Sequence, residues 1–240
     1  MYGNHLSFRR DGEVKPYVHK LMVSSHEDGD EEAIAKLLNE GYTDIVAKEL
    51  NDGAELPKEP LFFLKPDTAL LRNNDPFYVP SFSNEVHYEC ELVVKITRLA
   101  KCIDEKFASR CYEEVGLGID FTARDLQREA IAKGLPWEMC KAFDRSAALS
   151  NQFVSLAELG GDINNLEFEM ELNGEVVQHG FTKDMLFSVD KIISHVSKYM
   201  TLKIGDLIYT GTPVGVGPVQ AGDNIKARIG GRTLLDFDVR

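Results

Sequence analysis

The sequence predicts an α+β protein that is mainly β, in which a mixed sheet rolls into a sandwich or barrel with peripheral helices. Two observations support this fold class. Segments with strand-like alternation outnumber those with helical spacing, and several of them are joined by tight turns, of which Asn173-Gly174 is the clearest. Because strands and helices do not alternate regularly, we favour a sandwich or barrel over a doubly wound βαβ arrangement.

The amino-terminal part of the chain shows the weakest periodicity of apolar residues. Residues 1–30 show no clear period and end in a polar run, so we expect either an irregular, strand-poor lead or a partly disordered arm there. In residues 31–50 the apolar side chains recur at about helical spacing, with an interruption at Gly41, which predicts two short helices that cap a cleft. A loop follows, and then the apolar strand LFFLKP, which carries Lys65 at its end and stops at Pro66.

Two strands and a helix are predicted in the middle of the chain. Residues 86–96 form the strongest strand pattern, and residues 116–121 form a second strand that runs into a helix. Thr122 and, three residues later, Asp125 form a capping-box pattern for the start of that helix. Gly134 supplies the stop expected after about three turns.

The carboxyl-terminal part predicts a hairpin, a helix and closing strands. The segment LEFEMELNGEVVQHG alternates apolar and polar residues on both sides of Asn173-Gly174, a dipeptide that favours a type I′ turn. Residues 185–202 carry apolar side chains at helical intervals. The last strands are expected in the segments LKIGDLIYTGTP and NIKARIGGRTLLDFDV.

Composition limits the classes of function. The chain has 240 residues, 43% of them hydrophobic, so it can bury a substantial core as one main domain. A formal net charge of -12 repels phosphate backbones and anionic lipids, so we expect a small-molecule ligand and neither nucleic acid nor a membrane as partner. The 4 cysteines show no CxxC spacing and no stretch is apolar for long enough to cross a bilayer, which favours a cytoplasmic protein.

Three acids indicate a hard metal ion. Glu89 and Glu91 are two residues apart in the strand NEVHYECEL, so their side chains point to the same face. The third acid, Asp120, lies further along the chain in the segment GLGIDFTARDLQ. Carboxylate oxygens without nearby thiolates suit Mg²⁺, Mn²⁺ or Ca²⁺ better than zinc. The alternative is that the acids form the solvated face of a strand. His87 shares their strand face and is a candidate for contacting a bound ligand or supporting its neighbours.

The segments NEVHYECEL, GLGIDFTARDLQ and TGTPVGVGP, with PWEMCKAFD between the last two, resemble the fumarylacetoacetate hydrolase family. The resemblance extends from about Glu59 to the carboxyl terminus and is greatest to the small acylpyruvate hydrolase and oxaloacetate decarboxylase branch. It implies a β-sandwich roll with a lid, a divalent metal that is usually magnesium, a 2-oxo acid substrate and a homodimer. We therefore expect residues 1–58 to form a divergent arm and lid region, and residues 59–240 to form the catalytic domain.

The resemblance also assigns roles to individual residues. It implies that the three acids are the metal ligands and that Lys141 is a catalytic residue facing the oxyanion of the substrate. Thr212 matches a position that contacts the carboxylate end of the substrate, where the preceding glycine lets backbone donors approach closely. The substrate-binding candidates are Arg124, Gln127, Gly211, Thr212 and, with structural support as its alternative role, Lys65.

The resemblance is weakest on the amino-terminal side. Members of this branch carry an asparagine-tyrosine pair, then a histidine and, three residues later, a glutamate on a lid helix. The nearest match, GYTDIVAKEL, supplies Tyr42 and Glu49, whereas Val46 occupies the histidine position. Glu49 is therefore the second catalytic candidate, as a base acting without that histidine. His19 or His26 could replace the histidine, although a lone histidine in a polar segment is more often exposed.

These assignments imply a divalent-metal-dependent hydrolase that cleaves a carbon-carbon bond in acylpyruvate-type 2-oxo acids, with oxaloacetate decarboxylation as a second reaction. The metal and Lys141 would stabilise an enolate in either case. Because Val46 replaces the histidine that helps to activate water, the alternative is an isomerase, tautomerase or decarboxylase of 2-oxo diacids such as those of aromatic catabolism. A third hypothesis is a non-catalytic homologue that binds metal without turnover.

Overall fold

A computed structural model describes the backbone of residues 18–22 and the whole of residues 59–240. The predicted helix pair of residues 31–50, together with Tyr42, Val46 and Glu49, lies outside the described residues. Residues 18–22 form a strand, and the rest of the arm expected over residues 1–30 lies outside the described residues. The strand lies between two others, and its backbone donors and acceptors are paired by those neighbours even though its sequence is short and weakly patterned.

Fifteen strands are present in the described residues, and we number them in chain order. The first eight are β1 (Val18–Met22), β2 (Leu61–Lys65), β3 (Leu70–Leu71), β4 (Val86–Tyr88), β5 (Cys90–Lys95), β6 (Glu114–Asp120), β7 (Thr122–Ala123) and β8 (Ala147–Leu149). The other seven are β9 (Val154–Ser155), β10 (Glu167–Leu172), β11 (Glu175–Phe181), β12 (Leu207–Tyr209), β13 (Gly217–Pro218), β14 (Asn224–Ile229) and β15 (Arg232–Asp238).

The strands form three sheets. The largest has the order β2-β1-β12-β5-β6-β8-β3, with β9 paired to β6, and a second sheet has the order β11-β10-β14-β15. A small sheet joins β13, β4 and β7. In the large sheet β1 runs parallel to β12 and β3 parallel to β8, whereas the other pairs are antiparallel. The predicted α+β fold with a mixed, rolled sheet is therefore confirmed.

The main core lies between the large sheet and the four-stranded sheet. Alternate residues of β5 and β6, such as Leu92 and Leu117, pack there with inward residues of β10 and β14, such as Met170 and Ile225. The opposite face of the large sheet carries a second, smaller cluster that includes Val93. Since successive side chains of a strand point to opposite faces, odd-numbered residues of β5 belong to this second face, on which the site described below is built.

The strand predicted over residues 86–96 is broken at Glu89. The chain pairs with β7 and β13 up to Tyr88, and from Cys90 onwards it pairs with β6 and β12. One continuous strand was therefore the wrong expectation. The sequence pattern alternates throughout, but the chain passes from one sheet to another here, which only the pairing partners reveal.

Four α-helices surround the sheets in the described residues. They are α1 (Glu105–Ala108), α2 (Arg124–Lys133), α3 (Glu138–Lys141) and α4 (Val189–Tyr199). The last is the helix predicted over residues 185–202. Among the described residues, no helix is both long and apolar enough to span a membrane.

The predicted capping box of α2 is wrong, although its end is correct. Ala123 occupies the N-cap and makes no side-chain cap bond, while Gly134 ends the helix in the left-handed region at φ 63°. The carboxylate of Asp125 instead accepts hydrogen bonds from Ser83 Oγ over 2.6 Å and from the Asn84 backbone N–H over 2.9 Å. Asp125 is therefore used to hold a neighbouring loop, which leaves the side chain of Thr122 available for another contact.

The hairpin of β10 and β11 is confirmed. Asn173 and Gly174 connect the strands with φ values of 55° and 85°, as a type I′ turn requires.

We expect Gly174→Ala to lower the free energy of unfolding by about 1–2 kcal/mol, because the added Cβ meets no neighbour and only the left-handed backbone is penalised. Urea unfolding measures this effect, and Glu175→Ala, at an exposed position of the same hairpin, is the control. Equal midpoints for the two variants would contradict the prediction.

The buried position of His195 on α4 leads us to expect that the stability of the protein depends on pH. Its side chain is buried and lies beside the rings of Phe62 and Tyr199. Burial lowers the pKa of His195, with Glu59 opposing this change. The unfolded chain, with a histidine pKa of about 6.5, then binds the proton more readily, so stability falls as the pH drops below that value. We expect His195→Phe to lose less unfolding free energy than the wild type between pH 7 and pH 5. Parallel losses in urea unfolding would refute this.

Candidate active site

Three buried carboxylates converge on the second face of the large sheet. Glu89 lies at the junction of β4 and β5, Glu91 lies on β5, and Asp120 ends β6, where its backbone N–H donates to the Glu89 carbonyl oxygen over 2.8 Å. One ligand atom from each side chain lies within 4.8 Å of the other two. The three residues are at most 3% exposed. The acids therefore lie together as the strand geometry predicts, and their burial excludes a solvated strand face.

Lys141 places its ammonium group among these acids. The residue is the last of α3 and is fully buried. Its Nζ donates to Glu89 Oε2 and to Asp120 Oδ2, each over 2.9 Å, and to Thr122 Oγ1. An ammonium has three N–H donors, so these acceptors match its capacity. Lys141 thus binds two of the three metal-ligand candidates, and its predicted contact with a substrate oxyanion stays a prediction.

Lys65, at the end of β2, forms a buried ion pair with one acid of the same cluster, Asp120. Its Nζ lies 2.6 Å from Asp120 Oδ1 and donates to Ser146 Oγ over 2.8 Å. The backbone carbonyl oxygens of Ser146 and Lys141 also accept from it. Lys65 has two possible roles, structural support and substrate contact, and these contacts are of the structural kind. The substrate contact stays a prediction.

Arg124, the first residue of α2, turns inward toward Glu89. Its Nη2 donates to Glu89 Oε1 over 2.7 Å, and its Nη1 donates to Gln127 Oε1 over 2.5 Å. Its Nε donates to His87 Nδ1 over 3.4 Å, and His87 Nε2 lies 3.0 Å from Glu85 Oε1. Burial, followed by the charge of Arg124, lowers the pKa of His87, which favours the neutral ring that this geometry needs. Arg124 and Gln127 thus form one buried unit that holds Glu89.

The glycine-rich segment after β12 approaches the acids through its backbone. Gly211, at φ 103°, donates its N–H to Glu91 Oε2 over 2.8 Å. Thr212 Oγ1 donates to the Cys90 carbonyl oxygen over 2.8 Å. Both residues were predicted to bind the substrate, and both contact the strand that carries the acids. Their substrate contacts stay predictions.

The donor set fits a hard divalent cation. Within the part of the chain that the structure describes, the candidate ligands are carboxylate oxygens brought together in a buried position, as magnesium and manganese prefer. Cys90 lies between the two glutamates in sequence, but its side chain belongs to the main core on the other face. Burial strongly raises the pKa of its thiol, so Cys90 does not offer a thiolate to an ion held by the acids. Glu89, Glu91 and Asp120 would therefore hold the ion.

Three residues at the site make contacts that the sequence does not predict. Thr122 was interpreted as a helix cap but bonds Lys141, and Ser146 bonds Lys65. Gln178 lies in the segment that the alternation predicts as a hairpin, yet its side chain reaches Cys90 and Thr212. A signal for Gln178 did exist. It lies opposite Met170 on the inward face of the hairpin, where a polar residue is unusual.

The fold and the site define a β-roll protein with a buried carboxylate cluster suited to a divalent cation. The family model of the fumarylacetoacetate (FAA) hydrolase C-terminal domain matches residues 38–240. The chain therefore belongs to the fumarylacetoacetate hydrolase family.

Sequence relatives include enzymes with named activities. An oxaloacetate tautomerase of Escherichia coli K12 is 40% identical over 182 residues, covering 76% of this chain and 83% of the relative. A mitochondrial oxaloacetate tautomerase of Bos taurus is 42% identical over 198 residues, covering 82% and 87%. A mitochondrial oxaloacetate decarboxylase of Dictyostelium discoideum is 42% identical over 195 residues, covering 80% and 88%.

Solved structures show the same fold. A fumarylacetoacetate hydrolase family protein from Yersinia pestis superposes with a TM-score of 0.78 at 32% identity, covering 93% of each chain. A fumarylpyruvate hydrolase of Pseudomonas aeruginosa, in complex with Mn²⁺ and pyruvate, superposes with a TM-score of 0.71 at 29% identity, covering 93% of this chain and 87% of that one. The relatives that are named for an activity act on small molecules.

Proposed function

We propose that this protein is a divalent-metal-dependent oxaloacetate tautomerase, which transfers a proton between C3 and the enol oxygen of a 2-oxo diacid. The observation that carries the proposal is the placement of the Lys141 ammonium against two of three buried, converging carboxylates. Relatives that bear the tautomerase name are 40% and 42% identical over most of the chain. The sequence motifs favour hydrolysis, with this reaction as the alternative, and the names of these relatives are the reason that we propose tautomerisation first.

The chemistry needs an enolate oxygen to be stabilised and protonated. A divalent metal held by Glu89, Glu91 and Asp120 would supply a Lewis acid that polarises the ketone. As the C3–H bond breaks, its electron pair forms the C2–C3 double bond and the π pair of the ketone moves onto the oxygen. That oxygen then competes with the acids for an N–H of Lys141. Lys141 stabilises that oxygen and can deliver a proton to it from Nζ. We assign the removal of the C3 proton to Glu49, because a polarised ketone makes that proton far more acidic than those of water, so that a carboxylate is a sufficient base.

Decarboxylation of oxaloacetate is a related activity of the same site. It passes through an enolate of the same kind, formed when the C3–C4 bond breaks and carbon dioxide leaves. No water has to be activated in either reaction, so neither requires the histidine that Val46 replaces. One relative is named for this decarboxylation.

Hydrolysis of acylpyruvates is the second candidate function. It is favoured by the structural likeness to the fumarylpyruvate hydrolase with Mn²⁺ and pyruvate, because pyruvate enolate is the leaving group when an acylpyruvate is cleaved. Hydrolysis additionally requires a base that activates water. Glu49 would have to do this alone, and an ordinary glutamate, with a pKa of about 4.3, is a weak base at neutral pH.

Three assays on one preparation distinguish these functions. With Mg²⁺ or Mn²⁺ present, we would follow the ketonisation of enol-oxaloacetate by ultraviolet absorbance, pyruvate release from oxaloacetate by coupling to lactate dehydrogenase, and the loss of acetylpyruvate. The proposal expects ketonisation to be fastest and to stop after chelation of the metal. Acetylpyruvate cleavage without ketonisation would establish the hydrolase instead, and metal binding without any turnover would establish a non-catalytic homologue.

Further features remain proposals. We propose Mg²⁺ or Mn²⁺ as the physiological metal, a 2-oxo acid as the small-molecule partner, a homodimer as the assembly and a cytoplasmic location. The division into a lid region of residues 1–58 and a catalytic domain of residues 59–240 also stays a prediction.

A further inference from the structure

Gln178 connects the two main sheets at the acid cluster. The residue lies on β11, in the four-stranded sheet, and is 1% exposed. Its Oε1 accepts a hydrogen bond from the Cys90 backbone N–H over 2.8 Å. Its Nε2 donates to Thr212 Oγ1 over 2.8 Å and to the Pro213 carbonyl oxygen over 3.0 Å. One side chain thus binds the strand of the acids and the glycine-rich segment together.

From these contacts we infer that Gln178 is a positioning residue for the metal site, which sets the geometry of Glu89 and Glu91 without touching the ion. The inference deepens the proposed function and rests on it. Cys90 is the residue between the two glutamates, and the chain changes sheets at Glu89. The backbone of Cys90 therefore determines the direction in which both carboxylates point, and Gln178 holds its N–H.

The side chain of Gln178 forms a bridge whose first end, Oε1, binds Cys90 and whose second end, Nε2, binds the glycine-rich segment. The second end also affects the position of the carboxylates. Thr212 Oγ1, held by Gln178, donates to the Cys90 carbonyl oxygen, and the adjacent Gly211 donates its N–H to Glu91 Oε2. The glycine-rich segment is also packed tightly against β11, since a Cβ at Gly215 would lie 2.0 Å from the Val177 carbonyl oxygen. Movement of this segment would therefore reorient the donor that holds Glu91.

The polarity of Gln178 is unlike that of its surroundings. It lies opposite Met170 on the inward face of the hairpin, where an apolar side chain would fill the same space. A buried amide is unfavourable unless its groups are hydrogen bonded, and here every bond reaches the acid strand or the glycine-rich segment. A role limited to filling the core would not require this set of partners.

The test measures the affinity of the full-length, metal-stripped chain for Mn²⁺, by electron paramagnetic resonance of the free ion. We expect Gln178→Met, which keeps the length of the side chain and removes its polar groups, to raise the Kd for Mn²⁺ about 10-fold or more. Mutation of a residue that orients metal ligands commonly weakens metal affinity by about 10–100-fold. The KM for oxaloacetate at saturating Mn²⁺ should change less than the Kd for Mn²⁺.

Thr182→Val is the matched control. Thr182 is also buried, immediately after β11, and its Oγ1 accepts from the Leu166 N–H over 2.9 Å without contacting the acid strand. This variant should lose stability but keep the wild-type Kd for Mn²⁺. An unchanged Kd in Gln178→Met, or an equal rise in Thr182→Val, would overturn the inference.

A second variant covers the case in which Gln178→Met does not fold. Thr212→Val removes the other end of the bridge and should also raise the Kd for Mn²⁺, whereas an unchanged Kd would count against the inference. If the wild-type chain fails to bind Mn²⁺, the proposed function and this inference fall together. If it binds Mn²⁺ but does not turn over oxaloacetate, the tautomerase assignment fails while the Mn²⁺ titration still decides the role of Gln178.

Discussion

Replacing Lys141 by methionine should lower kcat for oxaloacetate ketonisation by about 10²–10³-fold, the usual cost of removing one donor to a developing oxyanion. The change keeps the length of a fully buried side chain and removes the ammonium that bonds Glu89, Asp120 and Thr122. Mn²⁺ affinity should be retained or should increase, because a cation that competes for two ligand carboxylates has been removed. Activity at saturating Mn²⁺, together with a Mn²⁺ titration, measures both effects.

Lys133→Met is the control for this experiment. Lys133 is exposed on α2 and pairs with Glu129 one turn earlier, an interaction that contributes little to stability. Its replacement should leave kcat and Mn²⁺ affinity unchanged. If Lys141→Met kept kcat within a few-fold of the wild type, Lys141 could not be the residue that stabilises the enolate.

Glu91→Gln should produce the opposite pattern, a large loss of metal affinity. We expect the Kd for Mn²⁺ to rise by at least about 10²-fold, beyond the effect of most residues that only support metal ligands. The fold should persist, because an amide oxygen can still accept from the Gly211 N–H that now binds Glu91 Oε2 over 2.8 Å. Activity should fall at low Mn²⁺ and recover in part as Mn²⁺ is raised.

The neighbouring strand offers a matched control for this substitution. Glu114 begins β6 and forms a partly exposed ion pair with Lys95, remote from the acid cluster. Glu114→Gln should leave the Mn²⁺ titration unchanged. A Kd for Glu91→Gln close to that of the wild type would remove Glu91 from the ligand set and leave two acids, too few for the proposed site.

Several features of this protein follow from the sequence by itself. The two-residue spacing of Glu89 and Glu91 determines that their side chains share a strand face, and the structure places Cys90 in the core on the other face. Asn173-Gly174 determines the hairpin, because both residues tolerate the left-handed backbone of its turn. These inferences succeed because they depend on residues that are adjacent in the chain.

Other features were decided only by the tertiary structure. Thr122 has the sequence signature of a helix cap, yet its hydroxyl faces Lys141, and the break at Glu89 is set by the sheets on either side of it. Gln178 reaches Cys90 across 88 positions of sequence. Such contacts depend on how two sheets pack after the chain has folded, and no local spacing or propensity encodes that packing. The sequence therefore determines which groups are available to the site, and the packing of the sheets determines which of them support it.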